Sequence, residues 1–207
     1  MLAIVDYGVG NLYSLASSLG VLGVEYEVAS EPARLREASH IILPGVGAFA
    51  DAAEKLRQSG MWTAVLEEAR RGKPLMGICL GMQMLFDKSY EYGEHAGLGL
   101  IPGEVCPLID DIAPGLKVPH IGWNRLDVRR DDPLFRHFEN GRYVSYVHSF
   151  YAKHCEADTL ATSDYSIPVT GVVRRGSVYG VQFHPEKSGD AGLGLLRAFA
   201  EMQGEEP

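Results

Sequence analysis

One cysteine in this chain has neighbours that could make it a nucleophile. Cys79 lies between Gly77 and Gly81 in the run Gly-Ile-Cys-Leu-Gly, where a strand pattern gives way to a helix pattern. A nucleophile flanked by glycines at such a junction is typical of a tight elbow that exposes the reacting atom. The start of the following helix would stabilise a thiolate there, and the amide of Leu80 could donate to an oxyanion.

A histidine near the end of the chain supplies the base that a cysteine nucleophile needs. His184 and Glu186 flank Pro185, and in an extended segment side chains two residues apart point the same way. Glu186 could then accept a hydrogen bond from one imidazole nitrogen while the other takes the thiol proton. The alternatives are an ordinary buried thiol at Cys79 and a strand-end histidine beside a solvated glutamate. The presence of both motifs favours a catalytic triad of Cys79, His184 and Glu186.

The elements around these motifs predict an α/β fold with a doubly wound, mostly parallel sheet flanked by helices. In the N-terminal half, apolar strand runs alternate with amphipathic helices, the first of which Asn11 can cap. From Gly97 onward short strands and turns dominate, which adds antiparallel strands in the C-terminal half. The expected strands cover 2–5, 26–29, 40–43, 74–78, 103–105, 117–119, 143–147, 170–173 and 177–183, and the helices 12–22, 33–38, 50–58, 63–71, 80–86 and 191–202.

Composition and charge argue against several other classes of protein. The chain suits one domain, expected over residues 1–207, and its net charge of −8 does not suit nucleic-acid binding. No apolar run approaches the roughly 20 residues that span a bilayer, and no signal-peptide pattern is present. Three scattered cysteines predict free thiols in the cytoplasm, with no metal or cofactor. Five histidines are expected to be surface or core residues: His40, His95, His120, His137 and His154.

Together the two motifs resemble those of the class I (triad) glutamine amidotransferases. The residues that carry the resemblance are Gly77-Ile78-Cys79-Leu80-Gly81-Met82-Gln83 and His184-Pro185-Glu186, in the family's order and over the whole chain. A narrower resemblance is to the branch formed by the glutaminase subunits of imidazole glycerol phosphate synthases, which act in histidine biosynthesis. It is carried by residues 6–12, 44–49, 120–124, 146–151 and 184–188.

The resemblance implies a mechanism and a set of site residues. His184 would deprotonate Cys79, Glu186 would orient the imidazolium, and the thiolate would attack the side-chain amide of glutamine to give a glutamyl thioester and ammonia. The oxyanion would be held by backbone amides of Leu80 and of the loop at Val46 and Gly47. The expected substrate-binding residues are Gly45, Gln83, His148, Ser149 and Phe150.

The resemblance also implies a partner, the cyclase subunit of imidazole glycerol phosphate synthase. This (β/α)8 barrel would receive the ammonia in a heterodimer and form imidazole glycerol phosphate. The residues expected near the interface are Asn11, Trp123, Asn124 and Lys187, although Trp123 could instead be half-buried in the core and Lys187 simply solvated. Two rival functions stay open: the glutaminase of another ammonia-channelling synthase, and a non-catalytic binding module on the same fold.

Overall fold

The computed structural model describes residues 1–204, and the last three residues of the expected 1–207 domain lie outside the described residues. The strands are β1 Leu2–Val5, β2 Tyr26–Ala29, β3 His40–Gly45, β4 Leu75–Cys79, β5 Phe86–Ser89, β6 His95–Ala96, β7 Ile101–Pro107, β8 His120–Arg125, β9 Asp127–Val128, β10 Tyr143–His148, β11 Phe150–Lys153, β12 Thr159–Asp164, β13 Pro168–Arg175 and β14 Val178–Val181. The helices are α1 Leu12–Val21, α2 Pro32–Glu37, α3 Phe49–Gln58, α4 Met61–Arg70, α5 Leu80–Gln83 and α6 Gly189–Ala200. Single 3₁₀ turns cover Leu108–Asp110, Pro133–Phe135 and Pro185–Lys187.

An eight-stranded mixed sheet organises the molecule, in the order β2-β1-β3-β4-β14-β13-β12-β9. The strands from β2 to β14 in this order run parallel, and β13, β12 and β9 extend the sheet with antiparallel pairings. Strands β1, β3 and β4 are buried along their whole length, as expected when helices cover both faces. The prediction of an α/β fold with antiparallel strands in the C-terminal half is confirmed.

Two hydrophobic cores lie on opposite faces of this sheet, because successive side chains of a strand point to opposite sides. On one face Ile41 and Leu43 of β3 pack with residues of α2, α3 and α4. On the other face Ile42 packs with residues of α1 and α6. The side chain of Asn11 accepts a hydrogen bond from the Ser14 amide at 3.4 Å, which confirms the predicted cap of α1.

Two smaller sheets complete the C-terminal half. Strands β11, β7, β5 and β6 form one sheet, and β10 and β8 form a separate two-stranded antiparallel ribbon. In the ribbon His120 lies opposite His148, and Ile121 lies opposite Val147. The two histidines are buried, whereas Ile121 and Val147 are exposed. The β8–β10 ribbon therefore turns one face to the protein and the other to solvent.

Two of the predicted elements are wrong. The helix expected over 80–86 ends at Gln83, because Phe86–Ser89 forms a strand that pairs with β6 and β7. The stretch 117–119, expected to be a strand, is irregular and contains a cis peptide bond between Val118 and Pro119. Both segments are short, and in short segments periodicity does not separate helix, strand and loop.

The helices of residues 1–204 include none that is both long and apolar enough to cross a membrane. The same part of the chain contains no group of three or more His, Cys, Asp or Glu side chains that could hold a metal ion. Cys79, Cys106 and Cys155 are all free thiols; Cys79 and Cys155 are buried and Cys106 is partly exposed.

Candidate active site

Cys79 occupies the junction between β4 and α5. Its backbone has φ 55° and ψ −112°, a positive-φ conformation that residues with a side chain rarely adopt. Such strain costs about 1–3 kcal/mol and persists only where the surrounding structure imposes it. The strand on one side and the helix on the other impose it here, so the sulfur stands at the carboxyl edge of the sheet.

Two glycines make room for this turn. A Cβ atom on Gly77 would lie 2.6 Å from the Gly81 carbonyl oxygen, and one on Gly81 would lie 1.9 Å from the Leu43 carbonyl oxygen. Both distances are far below van der Waals contact. A side chain at either position would therefore force β3, β4 and α5 apart.

We expect Gly81→Ala to destabilise the protein by about 3 kcal/mol or more, because the new methyl group must displace backbone atoms rather than a flexible side chain. Urea unfolding followed by circular dichroism measures this as a lower midpoint. Gly20→Ala in α1 is the matched control, since nothing lies within 4 Å of its Cβ and alanine favours a helix over glycine by about 1 kcal/mol. Equal midpoints for Gly81→Ala and the wild type would refute the steric argument.

His184 and Glu186 reach the elbow from the far end of the chain. Strand β14 lies beside β4 and parallel to it, so the residues that follow β14 arrive at the same edge as Cys79. His184 Nδ1 and Glu186 Oε1 are 2.8 Å apart, and the two side chains are 2% and 3% exposed. His184 itself has the expected extended backbone, with φ −96° and ψ 100°. The residues after it do not continue the extended segment: Pro185–Lys187 forms a 3₁₀ turn, and this turn brings Glu186 back to the imidazole.

The hydrogen bonds of His184 leave one imidazole nitrogen available for proton transfer. Nδ1 donates to the Glu186 carboxylate, and the buried Nε2 has no hydrogen-bond partner within residues 1–204. Burial alone would lower the pKa of His184, but Cys79 and Glu186 together raise it to about 9. His184 is therefore readily protonated at neutral pH, and an imidazolium beside a cysteine sulfur stabilises the thiolate.

A pocket of about 270 Å³ lies in front of the Cys79 sulfur. The sulfur is 3.9 Å from the Val147 carbonyl oxygen and 3.9 Å from Gln182 Nε2. The volume is below that of pockets for drug-sized ligands and suits a molecule the size of an amino acid. The wall consists of Val46, Gly47, Cys79, Leu80, Gln83, Glu91, Pro119, Val147, His148, Ser149, Phe150 and His184.

Most of the site residues expected from the sequence meet in this pocket, and two lie behind it. Glu186 is behind His184, to which it is hydrogen-bonded. Gly45 is behind the elbow, where a Cβ atom would lie 2.8 Å from the Gly81 amide nitrogen and 3.0 Å from the Leu80 Cβ. Gly45 thus lets β3 pack closely against the turn and is not part of the pocket wall.

Gln83 is oriented by two hydrogen bonds at the back of the pocket. Its Nε2 donates to the Phe150 carbonyl oxygen at 3.0 Å and to Gln182 Oε1 at 3.1 Å. Since both bonds use the amide nitrogen, the amide oxygen of Gln83 is fixed in position and can accept from a ligand.

Glu91 is a pocket residue that the sequence analysis missed. Its Oε2 accepts a hydrogen bond from the Phe49 amide at 2.8 Å, at the start of α3, which has no side-chain cap from its own N-cap residue. Burial raises the pKa of Glu91, and the bond to Phe49 opposes that shift. No motif surrounds Glu91 in the sequence, and only the fold of β5 and β6 brings it to the pocket.

The four residues expected at a partner interface differ in exposure. Trp123 on β8 is 59% exposed, so it is not a half-buried core residue. Lys187 is exposed on the 3₁₀ turn beside Glu186. Asn11 caps α1, and Asn124 is partly buried, with its Nδ2 donating to the Asp164 carbonyl oxygen at 2.8 Å.

Comparison with known proteins finds full-length relatives. The family model Glutamine amidotransferase class-I matches residues 3–201. Imidazole glycerol phosphate synthase subunit HisH of Wolinella succinogenes is 50% identical over 204 residues, which cover 98% of this chain and 100% of that protein. The protein of the same name from Lacticaseibacillus casei is 49% identical over 206 residues, covering 100% of this chain and 98% of that protein. That of Listeria monocytogenes is 45% identical, with coverage of 98% and 96%.

Solved structures share the same fold. A crystal structure described as a glutamine amidotransferase has a TM-score of 0.74 at 22% identity, covering 95% of this chain and 98% of that chain. The structure of PurLQS from Thermotoga maritima has a TM-score of 0.73 at 22% identity and covers 96% of each chain. At such identities the likeness concerns the fold alone.

Proposed function

Because the chain belongs to the class-I glutamine amidotransferases, we propose that it is the glutaminase subunit of an imidazole glycerol phosphate synthase. The observation that carries the chemistry is the shared pocket wall of Cys79 and His184, whose Nε2 is buried and has no partner within residues 1–204. The proposed enzyme is one domain of residues 1–207 that acts in the cytoplasm and uses side-chain and backbone groups alone.

The proposed reaction has two halves that use the same residues. The Cys79 thiolate attacks the side-chain amide carbon of glutamine, and protonated His184 gives its Nε2 proton to the departing ammonia. Water, deprotonated by the now neutral His184, then cleaves the glutamyl thioester to release glutamate. The Leu80 amide at the start of α5 and an amide of the Val46–Gly47 loop hold the oxyanion in both halves; each such donor contributes roughly 3 kcal/mol in comparable sites.

The charged end of glutamine would lie near Glu91 and Gln83. Glu91 supplies a carboxylate in the pocket wall, which suits the α-ammonium group, and the amide oxygen of Gln83 is a second acceptor. His148, Ser149 and Phe150 complete this side of the pocket, where backbone groups can bind the α-carboxylate.

We expect Glu91→Gln to raise the KM for glutamine about 10- to 100-fold and to change kcat by less than about threefold, because a charge-assisted hydrogen bond is lost equally from the ground and transition states. The amide oxygen of the side chain introduced by this substitution can still accept a hydrogen bond from the Phe49 amide, so the start of α3 is preserved. Glu94→Gln is the control: Glu94 is exposed and lies 3.7 Å from Lys88. A KM for Glu91→Gln equal to that of Glu94→Gln would exclude Glu91 from substrate binding.

The exposed face of the β8–β10 ribbon is the proposed docking surface for the cyclase. Ile121, Trp123 and Val147 lie exposed on it, and the Val147 carbonyl oxygen also faces the Cys79 sulfur. Ammonia released in the pocket therefore has a short path to a barrel seated on the ribbon. Asn11 and Lys187 would contact the same partner, Lys187 through its charge.

We expect Trp123→Ala to weaken binding of the cyclase at least about tenfold, since a large exposed aromatic side chain is a typical interface hot spot. Isothermal titration of the variant with purified cyclase subunit measures the dissociation constant. Ile109→Ala is the control, because Ile109 is a comparably exposed apolar residue, 57% against 59%, on a different element. Equal affinities of the two variants would move the docking surface elsewhere.

Glutamine hydrolysis measured with and without the cyclase and its nucleotide ligand tests the whole proposal. We expect slow turnover by the free subunit and strong activation in the complex. Activation by a different synthase, such as that of anthranilate or guanylate, would reassign the pathway. No turnover under any condition, together with no covalent labelling of Cys79 by a glutamine-analogue electrophile, would favour the non-catalytic module.

A further inference from the structure

A chain of hydrogen bonds crosses the β8–β10 ribbon from Asn124 to the glutamine pocket. Asn124 Nδ2 lies 3.3 Å from His120 Nε2, and His120 Nδ1 lies 2.9 Å from His148 Nε2. His148 Nδ1 in turn lies 2.8 Å from the Phe150 carbonyl oxygen. His120 and His148 are a buried cross-strand pair, and only the last two members of the chain, His148 and Phe150, line the pocket.

Only one arrangement of protons satisfies every link when both imidazoles are neutral. The Phe150 carbonyl oxygen can only accept, so His148 carries its proton on Nδ1 and presents Nε2 as an acceptor. His120 must then donate from Nδ1, which leaves its Nε2 to accept from the Asn124 amide. The other end agrees independently, because Asn124 Nδ2 also donates to the Asp164 carbonyl oxygen at 2.8 Å, which identifies that atom as the nitrogen.

The surroundings favour the neutral form of both rings and fix the plane of the His120 ring. Burial lowers the pKa of His120 to about 4. Burial also lowers the pKa of His148 to about 4; the bond to Phe150 opposes the shift, and His120 and His184 add to it. The His120 ring is stacked between Tyr146 and Tyr165, with ring centroids 4.7 Å and 4.1 Å away. At neutral pH every hydrogen bond between these residues is therefore donated in one direction, from Asn124 towards the pocket.

The series of hydrogen bonds ends at the Phe150 carbonyl group, which also orients Gln83. The Phe150 oxygen accepts from His148 Nδ1 at 2.8 Å and from Gln83 Nε2 at 3.0 Å. We propose that His120 and Asn124, which do not line the pocket, are positioning residues for substrate binding: they keep the proton on His148 Nδ1 and thereby hold the Phe150 carbonyl and the Gln83 amide in place. The proposal rests on the proposed function only in taking glutamine as the ligand.

Loss of the His120 donor would remove one of the two hydrogen bonds that keep the proton on His148 Nδ1, so that only the Phe150 acceptor would still hold it there. If the proton moves to Nε2, the Nδ1 lone pair faces the lone pairs of the Phe150 oxygen, and the two atoms repel each other. The carbonyl or the ring must then move, and Gln83 loses the fixed acceptor that orients its amide. The expected consequence is weaker binding of the amino-acid end of glutamine, with little change in the reactivity of the sulfur itself.

Two substitutions at His120 separate the hydrogen bond from the packing. His120→Phe keeps a flat ring between Tyr146 and Tyr165 but removes the donor. His120→Asn loses the ring but can present an amide N–H where the imidazole Nδ1–H was. Tyr165→Phe is the packing control, since it keeps the ring and loses only the hydroxyl that donates to the Lys117 carbonyl oxygen at 2.8 Å.

Nitrogen-15 NMR of the histidine side chains at pH 7 measures the proton positions in the intact protein and does not depend on enzymatic activity. We expect His120 and His148 to be neutral with the proton on Nδ1 in the wild type and in Tyr165→Phe. In His120→Phe we expect a second form of His148, protonated on Nε2, to appear beside the Nδ1 form, and in His120→Asn we expect the Nδ1 form alone. A wild-type His148 protonated on Nε2, or on both nitrogens, would overturn the proposal even if the variants fail to fold.

Labelling of Cys79 by a glutamine-analogue chloroketone gives the functional readout. For His120→Phe we expect KI, the chloroketone concentration that gives half-maximal inactivation, to rise about tenfold, equivalent to ~1.4 kcal/mol. The maximal inactivation rate constant kinact and the rate of Cys79 alkylation by iodoacetamide should change less than about twofold. His120→Asn should bring KI back to within about threefold of the wild type. An unchanged KI in His120→Phe overturns the positioning role. Wild-type protein with the expected proton positions but no labelling overturns the proposed function instead.

Discussion

Cys79→Ser is expected to abolish glutamine hydrolysis, with a loss of at least about 10⁴-fold in kcat/KM in the complex with the cyclase. A serine hydroxyl is close in size to the thiol but does not ionise beside His184 at neutral pH, so no nucleophile forms. Release of glutamate measures the loss, and circular dichroism checks the fold.

A second free thiol, Cys106, provides the control for Cys79→Ser. Cys106 is partly exposed on β7 and lies outside the pocket wall. We expect Cys106→Ser to keep turnover within about twofold of the wild type, as is usual for substitutions away from a site. Substantial turnover by Cys79→Ser, or a comparable loss in both variants, would remove Cys79 from the role of nucleophile.

His184→Asn is expected to lower turnover at least about 10³-fold while the protein stays folded. The asparagine amide can replace the imidazole Nδ1–H in the bond to Glu186, but it places no basic nitrogen where Nε2 stood. Turnover in the complex and thermal unfolding of the free subunit measure the two effects separately.

The companion variant His184→Ala should behave differently in the unfolding experiment. It leaves the Glu186 carboxylate, which is 3% exposed, without its partner, and breaking a buried pair in this way costs about 3–5 kcal/mol. We therefore expect His184→Ala to be both inactive and less stable, and His184→Asn to be inactive only. Near wild-type turnover in His184→Asn would reject the base assignment, and equal stability of the two variants would reject the structural role of the buried pair.

The elbow at Cys79 could be predicted from the sequence because its signature is local. Glycines two residues before and after Cys79 are required by backbone contacts within a few residues and with the adjacent strand, and the short apolar run before Cys79 favoured a buried strand. The same reasoning gave the parallel strands and the cap at Asn11, since each depends on a short stretch of sequence. These predictions needed no knowledge of distant pairings.

The features that local sequence did not reveal depend on distant contacts. The run after Gln83 leaves the helix because β6 and β7 offer strand partners to Phe86–Ser89. Glu91 reaches the pocket only through that same sheet. His120 was expected to be a surface or core residue because it has no metal-ligand spacing; it is buried, but its hydrogen bond to His148, 28 positions away, was not expected. Nothing in the local pattern around either residue reports such neighbours.

The arrangement of pocket and ribbon links chemistry to assembly. The ribbon exposes the apolar side chains of Ile121, Trp123 and Val147 on one face and buries His120 and His148 on the other, because side chains alternate along a strand. Val147 therefore belongs both to the proposed docking surface, through its exposed side chain, and to the pocket wall, through its carbonyl oxygen, and His148, Ser149 and Phe150 continue that wall. If the proposed docking surface is right, a partner seated on the ribbon would lie next to the Cys79 sulfur without contributing to the proposed triad.

The most direct test of the account is to trap the nucleophile. The complex is incubated with a glutamine-analogue chloroketone, digested and mapped by peptide mass spectrometry, with and without excess glutamine. We predict a single adduct on the peptide that contains Cys79, suppressed by glutamine and absent after Cys79→Ser, with Cys106 and Cys155 unmodified. An unmodified Cys79, or an adduct on it that glutamine does not suppress, would contradict the claim that this sulfur attacks bound glutamine.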